Sequence, residues 1–330
     1  MKLKIVDYLK GYSIFTIVIF HLLQFFPLQG FGAKLISFGG AGIHVFILCS
    51  GFGLYLSQLK KPLKYIEFIK KRFLKIYIPY IIIVLITALF PSLYEHSDRI
   101  TAIFSHVFLF KMFNERWMTS LGYQFWFIST ILQFYLLFPI LINFVKRFQW
   151  KSVLISVVIS LLWSTIVAII GESDNRIWNS FFIQYLWQFV LGMMIAVKYK
   201  ENPDFIKIPS VKYLLISLVL GLTLVGYTGI KGGILKLYND IPSLMGYLSL
   251  ALLLYLLGNH LKWIHSIFIY INKYSYEWYL VHMLVFIIVF NSISSYVGIP
   301  ISGALALIIS FLLGILYHRL LQKYLFSKIG

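Results

Sequence analysis

Residues 5–27 read Ile-Val-Asp-Tyr-Leu-Lys-Gly-Tyr-Ser-Ile-Phe-Thr-Ile-Val-Ile-Phe-His-Leu-Leu-Gln-Phe-Phe-Pro. About twenty mostly apolar residues suffice to cross a bilayer's hydrocarbon layer, so this run is long enough to span. It is too long for a signal peptide, has no small-residue cleavage site and carries charges within it. Those charges are Asp7 and Lys10, with His21 further on. Ionisable groups inside a span are costly and mark functional sites by default. Lys10 and His21 lie three helical turns apart on one face, roughly 16 Å along the axis, and Asp7 precedes Lys10 by one turn.

The remaining chain repeats the pattern. Of 330 residues, 60% are hydrophobic and 12% charged, against about a quarter charged in ordinary soluble domains. That excludes a soluble enzyme and predicts an all-α polytopic membrane protein. Ten spans are expected, near 5–27, 36–58, 76–94, 122–145, 152–171, 178–197, 212–229, 241–258, 267–289 and 299–322, with an interfacial stretch at 100–114. They are expected to form a single domain over 1–330 with no appended soluble domain. The net charge is +18, and it sorts. With both termini cytoplasmic, the outer side carries only Lys34, Arg99, Lys111, Arg116, Arg176, Lys231 and Lys236. This is the asymmetry of a multi-pass cell-membrane protein whose basic loops face anionic lipid inside the cell, and it removes nucleic acid as a partner. The lone Cys49 forms no intrachain disulfide.

Further ionisable and polar groups fall in other spans. The second reads Gly-Gly-Ala-Gly-Ile-His-Val-Phe-Ile-Leu-Cys-Ser-Gly-Phe over 39–52, with His44 and Ser50 among small residues that suit close helix packing. A basic segment follows, from Lys60 to Lys75, whose Arg72 has the fork geometry that suits phosphate. No set of His, Cys, Asp or Glu has metal-ligand spacing, so no metal site is expected. His96 and His106 are expected in solvated or interfacial positions on the outer side.

In order and spacing, Asp7-x2-Lys10-x10-His21, Phe46-x3-Ser50-Gly51-Phe52, Lys71-Arg72-x2-Lys75-x-Tyr77-x-Pro79, Trp126-x2-Ser129-x5-Tyr135-x3-Pro139 and Ser275-x3-Tyr279-Leu280-Val281-His282 resemble the membrane-bound acyltransferase-3 family. The resemblance runs from residue 5 to about 320. It implies transfer of an acyl group, usually acetyl, from cytoplasmic acyl-CoA to a hydroxyl of a surface polysaccharide or its lipid-linked precursor. It departs from the family at Lys10 and Lys75, where arginine is common, at Ile131 and Leu132, where many members have a glutamate, and at His44, where many have aspartate.

Acyl transfer from a thioester needs a base for the acceptor hydroxyl, charge stabilisation for the tetrahedral intermediate and a hold on CoA. His21 suits the first as base or transient acyl carrier, with His282 a second candidate. His44, Ser50 or His282 remain as groups that orient His21. Lys10, Lys71, Arg72, Lys75 and Tyr77 are expected around the CoA phosphates. The donor, acetyl-CoA or another acyl-CoA, enters from the cytoplasm, while the carbohydrate acceptor is modified toward the outer face. The rival reading is a transporter or flippase of lipid-linked sugars, which also places polar residues midway across a membrane.

Overall fold

The computed structural model describes residues 3–30, 32, 39–90 and 98–328. Lys2, Lys34, His96 and the edges of two expected spans (36–38 and 91–94) lie outside them. The described residues are helical, without strands. The main helices are α1 (Lys4–Leu23), α2 (Gly42–Lys60), α3 (Tyr65–Ala88), α4 (Arg99–Val107), α5 (Trp126–Phe148), α6 (Trp150–Ile169), α7 (Leu186–Glu201), α8 (Val211–Lys231), α9 (Asp240–Leu257), α10 (Lys262–Lys273), α11 (Ser275–Val297) and α12 (Ile299–Tyr324). Among the described residues, nine helices are long and apolar enough to cross a membrane. Nine of the ten expected spans find these helices. The other, 76–94, falls on α3, which has 24 residues but begins with a polar half bearing Lys70, Lys71, Arg72 and Lys75. Its apolar half contributes Tyr80, Ile83 and Val84 to the core.

α2 sits at the centre, with 72% of its apolar window buried, whereas α8 buries 17% and faces outward. Small residues set these approaches, since bare backbones let helices touch. A Cβ on Gly51 would lie 2.1 Å from the Phe189 carbonyl oxygen, and one on Gly192 2.1 Å from that of Leu48. Gly42 meets α1 the same way, 2.2 Å from Thr16 Oγ1. These glycines serve helix packing. Pro79 sits inside α3, and its carbonyl accepts the Tyr317 hydroxyl of α12 at 2.7 Å.

Two expectations are corrected. The span expected at 267–289 begins at Ser275, because α10 and α11 are separate helices broken at Tyr274 (φ −115°, ψ 11°). The apolar residues of 267–273 belong to an amphipathic helix that packs on α1, where Gly11 would place a Cβ 1.8 Å from the Phe268 carbonyl oxygen. The second concerns His106, expected in a solvated or interfacial position on the connection after α3. Asp98 caps α4, accepting the Thr101 amide at 3.0 Å, and the chain then folds back into the bundle. His106 is fully buried, bonded to the Tyr80 hydroxyl at 2.5 Å and to Ser120 Oγ at 3.0 Å. Lys111 is also fully buried, its Nζ donating to the Phe125 carbonyl at 2.9 Å.

Candidate active site

α1 and α11 bring His21 and His282 together although 261 residues separate them, with His21 Nδ1 2.8 Å from His282 Nε2. Both are buried. On α11 the other ring nitrogen of His282, Nδ1, lies 2.8 Å from the carbonyl oxygen of Tyr279, one turn back. A carbonyl oxygen only accepts, so His282 carries its proton on Nδ1 and, when neutral, presents a lone pair at Nε2. His21 must then donate from Nδ1. This leaves His21 Nε2 unprotonated, a lone pair on an imidazole whose tautomer a neighbour fixes. A base held by an orienting group in this way is the arrangement of catalytic triads, recognised by roles rather than by sequence position.

His21 lines a small cavity of about 200 Å³. Its walls carry Tyr123, Gln124, Trp126, Arg176, Tyr185, His44 and Asp240. The Arg176 guanidinium donates to the Tyr123 hydroxyl and lies 5.0 Å from the Trp126 ring centroid, a stacked cation in cation–π range. The Gln188 amide donates to His44 Nδ1 at 2.9 Å. His44 therefore carries its proton on Nε2, which faces Asp240 Oδ1 at 3.8 Å. Asp240 Oδ2 accepts the Gln184 amide at 2.8 Å.

A second cavity, of about 610 Å³, opens among the basic residues at the other end of α1. That volume is within the range of small-molecule and cofactor sites. Asp7, Lys10, Ser50, Lys60, Lys61, Arg72 and Tyr135 line it. Arg72 Nε is buried without a hydrogen-bond partner, and the guanidinium stands 5.5 Å from the Phe68 ring. A buried, unanswered guanidinium N–H is costly in isolation and suits a phosphate oxygen. Asp7 accepts the Asn272 amide at 3.0 Å. The Lys10 ammonium passes over Gly53, where an added Cβ would lie 3.5 Å from Nζ.

A family model for an acyltransferase domain matches residues 3–319. The chain belongs to the acyltransferase-3 family. Neither the characterised proteins nor the solved structures compared with it give a match. Within the described part of this acyltransferase no group of three or more His, Cys, Asp and Glu is arranged to hold a metal ion.

Only some of the expected site residues line a cavity: His21 the smaller, and Lys10, Ser50 and Arg72 the larger. His21 and His282 meet, and of the three groups weighed to orient His21 it is His282 that touches it. Ser50 lines the larger cavity and donates to the Phe46 carbonyl at 2.8 Å, away from the histidine pair. Lys10 and Arg72 share the larger cavity with Lys60 and Lys61. Lys71 and Lys75 are exposed on α3 and do not line it. Tyr77 is also outside it, its hydroxyl donating to the Val107 carbonyl. Glu277 pairs with His318 at 3.0 Å rather than with His282. Sequence reasoning passed over Arg176, Asp240 and Tyr123. Arg176 was counted as a loop charge, and Asp240 stands one residue before an expected span. The scarcity of charge beside the spans on that side singles out Arg176 and Asp240, whereas nothing in the sequence marks Tyr123.

Proposed function

We propose that this acyltransferase moves a short acyl group, acetyl first among them, from acyl-CoA in the larger cavity to a carbohydrate hydroxyl in the smaller one. The observation that carries this is the His21–His282 pair, with His21 on the wall of the smaller cavity and an unpaired Arg72 Nε in the cavity at the other end of α1. The positive-inside rule puts the basic end in the cytoplasm, where acyl-CoA is found, in a multi-pass protein of the cell membrane. The family's acceptors support a surface polysaccharide or its lipid-linked precursor, and the Trp126 and Tyr185 rings of the smaller cavity suit a sugar face.

The chemistry follows from the tautomers. As the acceptor oxygen bonds to the thioester carbon, its proton passes to His21 Nε2. The C–S bond then breaks, and the imidazolium returns that proton to the departing sulfur, giving an ester and free CoA. His282 accepts from His21 Nδ1–H throughout and supports the positive ring. Arg176, on the same wall, supplies positive charge for the oxygen of the tetrahedral intermediate. Arg72 with Lys10, Lys60 and Lys61 would hold the CoA phosphates.

Replacement of His21 by alanine tests the reading. The variant is expected to bind CoA with wild-type affinity and to lose acetyl transfer by about 10²–10⁴-fold, the span ascribed to a general base. Near wild-type transfer would refute the assignment. Retained movement of a lipid-linked sugar in a protein that never consumes acyl-CoA would favour the transporter reading instead.

A further inference from the structure

The two cavities meet at four side chains that wall both: Ile17 of α1, Ile43 of α2, Phe127 of α5 and Tyr279 of α11. None is more than 8% exposed. Their positions are fixed by their neighbours. Phe127 packs edge-on against Phe46 at 5.6 Å and Tyr279 at 5.9 Å between ring centroids. The Tyr279 hydroxyl is tied to the Gln124 carbonyl, and the Tyr279 carbonyl is the one that holds His282. Interiors packed this way yield little to an oversized group.

We infer that Ile17, Ile43, Phe127 and Tyr279 form a collar that selects the acyl group by length. The inference rests on the proposed transfer from the larger cavity to the smaller. In an acyl-CoA the acyl group lies beyond the sulfur, so the thioester carbon reaches His21 only after the acyl group has passed the collar. Beyond it the chain enters about 200 Å³ whose wall carries Arg176, Asp240, His44 and Gln124. An alkyl chain there displaces water from polar groups without pairing them, which is unfavourable. It has no route back, because the pantetheine arm occupies the collar. A methyl group meets neither obstacle. The collar thus lets the arm through and makes each added methylene a penalty.

The experiment compares acetyl-CoA, butyryl-CoA and hexanoyl-CoA as donors for the whole protein in nanodiscs, alongside the Kd of free CoA. One methylene in a fitted site changes kcat/KM by about 10–200-fold. Wild type is expected to prefer acetyl to butyryl by at least about 100-fold. Phe127→Ala and, independently, Ile43→Ala should each narrow that ratio at least about tenfold, while retained, measurable CoA binding reports that the variant is folded. Ile43→Trp, which fills the collar, should bind CoA and fail to transfer. An unchanged acetyl-to-butyryl ratio in either active alanine variant overturns the collar alone, as does a wild type that uses hexanoyl as readily as acetyl. A wild type that binds CoA and transfers none of the three overturns the acyltransferase reading and the collar with it.

Discussion

Replacing His282 separates an orienting role from a structural one. In the wild type His21 Nδ1 donates to His282 Nε2 at 2.8 Å, and that bond alone decides which nitrogen of His21 is free for chemistry. A leucine at 282 removes the acceptor. The buried His21 N–H is then unsatisfied, at a cost of about 1–3 kcal/mol. The ring can escape that cost by moving its proton to Nε2, the nitrogen that must be bare. Each 1.36 kcal/mol is tenfold in rate, so the unsatisfied bond accounts for roughly 5–150-fold. Loss of the correct tautomer carries the total toward the ~10⁴-fold that a wrongly held catalytic histidine suffers. Glutamine at 282 restores a carbonyl acceptor. His282→Gln is therefore expected to recover at least about tenfold over His282→Leu, with KM for acyl-CoA unchanged in both because neither touches the larger cavity. The assay is incorporation of radiolabelled acetyl from acetyl-CoA into carbohydrate by membranes bearing the protein. Equal activity in His282→Leu and wild type, or equal losses in the leucine and glutamine variants, would refute the argument.

Arg72→Gln should raise the Kd of CoA by about 10–100-fold, the worth of one hydrogen bond to a charged group, with kcat little changed; calorimetric titration checks it. Burial pushes the Lys111 amine from 10.5 down to about 7. Between those values the unfolded chain holds a proton that the folded protein has lost, so stability rises with pH across that window. Melting curves in detergent should therefore climb between about pH 7 and pH 9 relative to Lys111→Met, and parallel curves would contradict the assignment.

The order of groups along α1 was legible because a single helix has a fixed rise and period, so Asp7, Lys10 and His21 had to share a face. That the chain crosses a membrane repeatedly was legible for a similar reason: the lengths of apolar runs are set by the bilayer. Contacts between helices were not. Nothing in spacing says that α11 lies beside α1, so His44, Ser50 and His282 were equivalent partners for His21 until the packing chose one. Residues 267–273 misled because an amphipathic helix resting on the bundle contributes the same apolar letters as the start of a span. Lys111 and His106 misled because a loop between spans is assumed to lie in solvent or at the interface, whereas this one returns to the core and satisfies its polar atoms there. The basic run from Lys60 to Lys75 was read as one binding segment. The run is split between the end of α2, a short connection and the first half of α3, and only Lys60, Lys61 and Arg72 of it reach the cavity.

The central claim is that an acyl group entering on CoA at the basic end of the bundle emerges on an acceptor at the other end, by way of His21. Sealed vesicles of known orientation, with radiolabelled acetyl-CoA confined to the side of Lys60 and Arg72 and the carbohydrate acceptor confined to the opposite side, test this directly. The account predicts labelled acceptor with the wild type and none with His21→Ala, whose CoA binding persists. Labelling only when donor and acceptor share the basic-side compartment would contradict it.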